Sequence, residues 1–444
     1  MAGGTFDKQV GKVRPGTYIN FTSAKNNAVT GAIRGTVVVP LTAPTYGPKG
    51  KFLTITADAP DREMASLGYS VYDNDPNRQM LLIREALKNA QTALVYITAE
   101  GTKATATASP VTATAKYGGS RGNSFSFSVV KNALDGFDVS VYLEDSTVAT
   151  YEGLKTVEEL IAQNCDYVTF TGTGDLQAIE KTSLAGGEDA TSENQDVTDF
   201  LDAIEQEQFD TLCFPLTDED LLESCKAKIQ YMRENMGRGV QAVLAGLAAD
   251  YEGIINVTNG VVVDDITLTA AESCAWVAGA TAAASNTESL TYKVYEGATE
   301  INGPKSHEEA VAAIQAGEFF FSYSEAGAVV AEYDINSLVT FTDGKDESYR
   351  KNRVIRVLDT FATYLRNNFP PNKYANNEIG WEIMKGIGKS ILKIFEDAGA
   401  ITNVDYDNDF LVDADLTGGD KTYFNVSIQP VDSSEKLFFT VSTL

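Results

Sequence analysis

The residues that could do chemistry are few, and their spacing fails each mechanism asked of it. The 444-residue chain contains one histidine, His307, in the polar run PKSHEEA ahead of a helical pattern. Every Ser-His-Asp or Cys-His arrangement would have to run through that imidazole, and its setting reads as the solvated start of a helix. Residues 385–390 read KGIGKS and suggest a phosphate loop. A P-loop also needs a glycine at the position held by Ile383 and a strand ahead of it, where the pattern is helical. The run is expected to be helix, with Gly386 and Gly388 admitting another backbone. In VDYDNDFLVDADL, Asp405, Asp407 and Asp409 have the first spacings of a calcium loop. Phe410 and Leu416 stand where Gly and Glu are required, so a solvated acidic loop is expected. Cys165, Cys213, Cys225 and Cys274 form no CxxC pair and read as small buried hydrophobes. No catalytic residue, cofactor or metal is therefore assigned.

The elements that carry these runs are mostly helices near the C-terminus. Val354, Val357, Leu358, Phe361 and Leu365 recur at helical spacing, which predicts an amphipathic helix over 349–369, with Arg353, Arg356, Asp359 and Arg366 off its apolar stripe. Pro370 and Pro371 stop it, and a second helix is expected over 381–398 before Gly399. Charge sets this pair apart. Residues 350–393 carry nine Lys/Arg against three Asp/Glu, in a chain of formal charge −27. A basic island on so acidic a chain suits a docking face for an acidic surface, which can be another copy of itself; a solvated helix face is the plainer reading.

With 43% hydrophobic and 22% charged residues, the composition is that of a globular protein with two to four domains. No stretch is long and apolar enough for a membrane span, so no membrane insertion is expected. The start, MAGGTFDKQVGKVRPG, lacks the apolar core of a secretory signal, which predicts folding in a cytoplasm. A pI near 4.4 argues against general nucleic-acid binding.

Taken in order, residues 1–20 read as an arm, with Thr17, Tyr18, Ile19, Asn20 and Phe21 a β-prone run that lacks a local hairpin partner. Strands over 32–41 and 51–56, a helix over 76–90 and a strand over 92–98 begin an α/β layer. Residues 99–190 change character: ATATASPVTATA, SFSFSVV, a turn at Asp135-Gly136, FDVSVYL and YVTFTGTG read as an inserted β-sandwich, with a short helix over 157–163. After a linker at 185–194 the α/β alternation returns. Helices are expected over 197–206, 218–235, 269–284 and 307–316, and strands over 211–214, 239–245, 260–263, 319–323 and 329–332. The chain thus reads as multidomain α+β. A discontinuous central α/β domain (21–98 and 191–340) would hold a β-sandwich (99–190) and be followed by a C-terminal α+β domain (341–444). The last strands are expected over 423–430 and 436–441. Leu437, Phe438, Phe439, Thr440 and Val441 make an edge without a partner.

Several stretches together resemble contractile phage tail sheath proteins, which also occur in prophages and phage-derived bacteriocins. They are RPGTYI at 14–19, 34–47 with GTVVVPL and YGP, 237–246, YEGI at 251–254, AGATAAASNTESLTYKVYEGA within 275–297, 353–369 and IQPVDSSEKLFFTV at 428–441. The resemblance covers most of the chain outside the β-insert. It implies a homopolymer wound helically around a tail tube, with baseplate and tail terminator proteins as further partners, in a virion tail assembled in the host cytoplasm. It further implies that Thr17–Phe21 and Leu437–Val441 are exchanged between neighbours as added strands. The C-terminal domain would lie innermost and the β-insert outermost. Arg353, Arg356, Lys385, Lys389 and Lys393 would face the tube or a neighbouring subunit. Contraction would release energy stored in the lattice without a nucleotide. Two other readings are an α/β hydrolase-like enzyme acting through His307 or clustered carboxylates, and a non-contractile capsid or surface lattice protein.

Overall fold

The computed structural model describes residues 34–443 and the strands Ala2–Gly4 and Gly16–Tyr18. The protein is a multidomain α+β chain that divides into two compact units. The smaller holds Tyr364–Ile394, Asp405–Ser427 and the N-terminal strands, and the larger holds the rest.

The larger unit is built on a seven-stranded sheet. Its order is Glu318–Phe319, Ile254–Val257, Gln241–Ala245, Thr211–Cys213, Thr36–Leu41, Thr92–Ile97 and Phe52–Thr56. Neighbours are parallel except the edge strand Phe52–Thr56, which runs antiparallel to Thr92–Ile97. A parallel sheet covered on both faces needs continuous apolar strands, and TVVVPL, TALVYI and QAVLA supply them. Successive residues point to opposite faces. Val37, Val39, Val243 and Ile255 enter a core shared with helices Gln79–Leu87 and Ala270–Ala283, while Val38, Leu212, Leu244 and Ile254 enter one shared with Asn194–Ala203 and Glu219–Glu234. The strand Ile254–Val257 is absent from the sequence-based expectations, because a four-residue run of three apolar residues and Asn256, without alternation, does not distinguish strand from helix.

Helix Ala270–Ala283 is apolar all round, which suits only a buried position. Its small residues let Gln79–Leu87 come close, and at Gly279 a Cβ would lie 2.2 Å from the carbonyl oxygen of Ala86. Trp276 stacks on Tyr295 with centroids 4.5 Å apart, and the Tyr295 hydroxyl donates to the buried Glu85 carboxylate at 2.8 Å. Lys88 neutralises Glu85 from 2.8 Å, so the buried charge is paired.

Residues 105–183 hold two antiparallel sheets facing each other. One has the order Ser146–Leu154, Phe137–Leu143, Phe125–Lys131, Ile179–Ser183, and the other Val168–Gly172, Val111–Ala115, Thr105–Ala108. Phe125, Phe127, Val139 and Val141 meet Val111, Ala113 and Phe170 in one core, making a β-sandwich. The strand Ser146–Leu154 escapes the sequence pattern because register shifts at Thr147/Ala149 and Tyr151/Leu154 break its alternation.

Both C-terminal helices form, as Asn352–Asn368 and Glu378–Asp397. The first buries Val354, Val357 and Phe361 of the expected stripe, but it does not leave Arg353 and Arg356 outside. Its opening turns are enclosed on every side, so Arg353 and Arg356 are buried together with Val354, Ile355 and Val357. In the smaller unit Phe369 stacks on Phe410 at 5.8 Å and meets Phe424 at 5.7 Å. The Phe410 ring covers Gly388, where a Cβ would lie 2.3 Å from it. That glycine of KGIGKS therefore admits an aromatic ring, not a phosphate or another backbone.

The ends of the chain differ most from expectation. Gly16–Tyr18, which includes Thr17 and Tyr18, pairs in parallel with Ala2–Gly4, a local partner where a remote one was expected. Ile19, Asn20 and Phe21 lie outside the described residues. The strand expected over 423–430 is split, Phe424–Val426 pairing with Phe410–Val412 and Gln429–Pro430 with Ile401–Thr402. Residues 436–441 form no strand within the subunit.

The close helix approach predicts the cost of one methyl group. Gly279→Ala should destabilise the central layer by about 1–3 kcal/mol, because the opposing atom is main chain and cannot rotate away. Thermal unfolding of the variant should begin at lower temperature than the parent; an unchanged midpoint would show that the two helices separate freely.

Candidate subunit-linking surfaces

The C-terminal tail is held at its root and exposed beyond it. Val431 donates its amide to Ala400 O at 2.9 Å, and Arg353 Nη1 donates to Ser433 Oγ at 2.6 Å. Glu435 follows as the main anchor. Its carboxylate pairs with the Lys351 ammonium and accepts from Ser289 Oγ at 2.7 Å and Thr291 Oγ1 at 2.6 Å. Lys351 precedes helix Asn352–Asn368 and lies 4.2 Å from the Tyr333 ring centroid. Burial lowers its proton affinity, and the nearby Asp432 and Asp334 carboxylates oppose that shift. Beyond Lys436 no hydrogen bond or ion pair is formed among the described residues. Leu437 is 65% exposed, Phe438 91%, Phe439 83% and Val441 84%. Large apolar side chains this exposed forgo roughly 1.5–3 kcal/mol each that burial would release. An extended segment with unpaired backbone groups and such side chains can add to another sheet as a strand.

The basic residues separate into two groups. Arg356 is 1% exposed; its Nη2 donates to Asp334 Oδ2 at 2.8 Å and to Glu288 O at 2.6 Å. With Arg353 engaged at Ser433, neither arginine offers a surface charge, and the expectation that they face a tube or neighbour is corrected. The stripe analysis missed this because their partners lie on other segments. Lys385, Lys389 and Lys393 all lie on helix Glu378–Asp397 in the smaller unit, where Lys385 pairs with Glu382 at 2.8 Å and Lys389 with Asp407 at 3.0 Å. One face of that helix is exposed: Ile379, Ile383, Gly386, Ser390 and Ile394 follow one another at three- and four-residue steps. A Cβ on Gly386 would meet nothing within 4 Å.

The remaining chemical candidates have local roles. His307 begins helix His307–Gln315, directly after the Ser306 cap, whose capping-box partner is Glu309. The Asp405 loop consumes its own carboxylates. Asp405 accepts from the Asp407 amide at 3.0 Å and Asn408 Nδ2 at 2.8 Å, which lowers its pKa, and Asp409 accepts from the Asp405 amide. Among the described residues no group of three or more His, Cys, Asp or Glu could hold a metal ion. Cys213, Cys225 and Cys274 are buried, and desolvation pushes their thiols far up.

Comparison with known proteins agrees along the whole described chain. Residues 34–96 match the Tail sheath protein Gp18 domain III N-terminal region, and 99–189 the Phage tail sheath protein beta-sandwich domain. Residues 190–337 match the Phage tail sheath protein central domain and 344–443 the Phage tail sheath C-terminal domain. The phage-like element PBSX protein XkdK of Bacillus subtilis is 37% identical over 474 residues, covering 99% of each chain. The crystal structure of a sheath tail protein from Desulfitobacterium hafniense superposes with a TM-score of 0.83 at 38% identity, over 96% of this chain and 99% of that one. The helical sheath of the anti-feeding prophage in its contracted state shares the fold, with a TM-score of 0.58 at 13% identity over 98% and 99% of the two chains. The chain belongs to the phage tail sheath protein family.

Proposed function

We propose that this chain is the sheath subunit of a contractile tail: it polymerises helically around a tail tube and shortens to drive that tube through a bacterial envelope. The observation that carries this reading beyond family membership is the anchored tail. A root fixed by the Glu435 carboxylate and an end of exposed Leu437, Phe438, Phe439 and Val441 suit a strand donated to a neighbouring copy. At the other end, Gly16–Tyr18 uses one edge to pair with Ala2–Gly4, and the run Thr17–Phe21 would add to a second neighbour. Each subunit then offers one surface and accepts another, the arrangement that produces open helical polymers. Linked copies can rotate as rigid bodies without separating.

The role is structural and non-enzymatic. Work comes from the difference between two lattices, and a few kcal/mol per subunit, summed over on the order of a hundred copies, supplies the stroke. Baseplate and terminator proteins bound the polymer, which is assembled in the host cytoplasm as part of the virion tail. Helix Glu378–Asp397 is the tube-facing element in this reading. Its exposed isoleucines and Gly386 admit a close surface, while Lys385, Lys389 and Lys393 favour an acidic one.

Two experiments test these assignments. A chain ending at Lys436 should keep the parent's circular dichroism and melting midpoint, because the removed side chains are exposed, yet stay monomeric in sedimentation where the full chain forms hollow tubes in electron micrographs. Tubes from the shortened chain would remove strand donation. Separately, reversing Lys385, Lys389 and Lys393 to Glu should abolish co-assembly on the cognate tube at 0.15 M salt, where the Debye length is about 8 Å, while self-assembly without a tube persists. Undiminished tube binding would assign contact to another element.

A further inference from the structure

The β-sandwich is an insertion, joined to the rest of the larger unit by two chain crossings, one before Thr105 and one after Ser183. A domain hung on two connecting strands is ordinarily free to swing unless an apolar interface holds it. Here the YGP run at 46–48, which follows strand Thr36–Leu41, sends Tyr46 into the sandwich. Tyr46 is 3% exposed and belongs to the sandwich core, its ring centroid 5.2 Å from that of Tyr117 and 5.4 Å from that of Phe125. Its hydroxyl donates to Tyr167 O at 3.0 Å, so the polar end of a buried ring is satisfied. The sandwich reaches back with Arg121. The guanidinium carbon of that residue lies 4.2 Å from the centroid of the Tyr69 ring, its Nε donates to Gly68 O at 2.7 Å, and its amide donates to Thr45 O at 3.2 Å. Main chain packs on main chain beside it: at Gly119, with φ +131°, a Cβ would lie 1.9 Å from Thr45 O. Asp189 joins the two sides as well, accepting from Ser120 N at 2.6 Å and from Asn77 Nδ2 at 3.1 Å.

We propose that Tyr46 and Arg121 lock the inserted sandwich to the central layer, so that in contraction the two turn as one rigid body. Neither residue lies in the two crossings, so both act in addition to chain connectivity. The core of the insert is incomplete without a ring from its host. Close-packed cores do not tolerate the loss of a whole aromatic ring, and Tyr46 can fill its place beside Tyr117 and Phe125 only while the sandwich keeps one orientation. One ring fixes a point and leaves rotation about it open. Arg121, which makes two donations to main chain and a stacking contact away from that point, removes the rotation. Whatever the sandwich touches in a polymer is then decided by the angle of the central layer and by no hinge of its own. The consequence for contraction rests on the sheath reading; the lock itself does not.

Pulsed dipolar spectroscopy of the full chain tests this. Nitroxides are placed at Thr147→Cys on the sandwich and Glu223→Cys on helix Glu219–Glu234, both exposed positions, in a Cys165→Ser background that leaves only buried native thiols. The labelled chain is diluted into excess unlabelled chain, so that only pairs within one copy are read. The parent should give one narrow distance, the same in the dilute chain and in tubes. Arg121→Ala should broaden that distribution while amide exchange in Phe125–Lys131 stays at the parent's rate, because the sandwich core is untouched. Tyr46→Ala should broaden it and speed exchange in Phe125–Lys131 by about a hundredfold; should that variant fail to fold, Arg121→Ala decides alone. A parent distribution that is already broad, a parent distance that shifts on tube formation, or a folded variant as narrow as the parent overturns the lock and leaves the sheath reading standing. A chain that forms no tubes, even with its tail tube and baseplate, overturns the sheath reading and leaves the lock to the dilute-chain comparison.

Discussion

The surfaces that point outward depend on one carboxylate that points inward. Asp334 is fully buried, and its two oxygens accept from Leu290 N at 2.9 Å, Asn352 Nδ2 at 2.9 Å and Arg356 Nη2 at 2.8 Å. A buried anion with a guanidinium and two neutral donors is satisfied; removing it would strand Arg356, at a cost of about 3–5 kcal/mol. Through Asn352 it fixes the start of the first C-terminal helix, and with it the adjacent Lys351. Through Leu290 it fixes the loop carrying Thr291. Lys351 and Thr291 are two of the three groups that grip Glu435, with Ser289 beside them, so the tail leaves the subunit where Asp334 dictates.

That hub also explains why so acidic a chain can associate. Like-charged subunits repel over a Debye length, so association needs short-range contacts in chosen places. In the proposed strand donation, apolar tail residues would supply such contacts without adding charge. Exposed aromatics on an extended segment are an aggregation hazard, and here the hazard is limited to the few residues beyond Lys436. Anchoring the root would shorten the segment to be ordered in such a donation and so reduce the entropy lost there.

How much of this is legible in the sequence depends on how far apart the partners lie. The central sheet is readable wherever a strand shows period-two or continuous apolar character over five or more residues, as in TVVVPL and TALVYI. It is lost at Ile254–Val257, where four residues do not decide. The two C-terminal helices are readable from their spacing, and KGIGKS is correctly read as helix because no strand precedes it. Burial of Arg356 is not readable, because a helical wheel counts any charged position as solvated, and the partner that draws it inward lies on another segment. Likewise the tail's apolar edge is visible in LFFTV, whereas its anchor joins residues 84 positions apart.

The basic island illustrates the difference between charge that is abundant and charge that is available. Nine cations in residues 350–393 suggest one docking face, but Lys351, Arg353 and Arg356 are consumed inside the larger unit at Glu435, Ser433 and Asp334. Lys385 and Lys389 each hold a partner through exposed ion pairs, which contribute little and exchange readily. Arg350 is different again, partly enclosed and without an ion pair among the described residues.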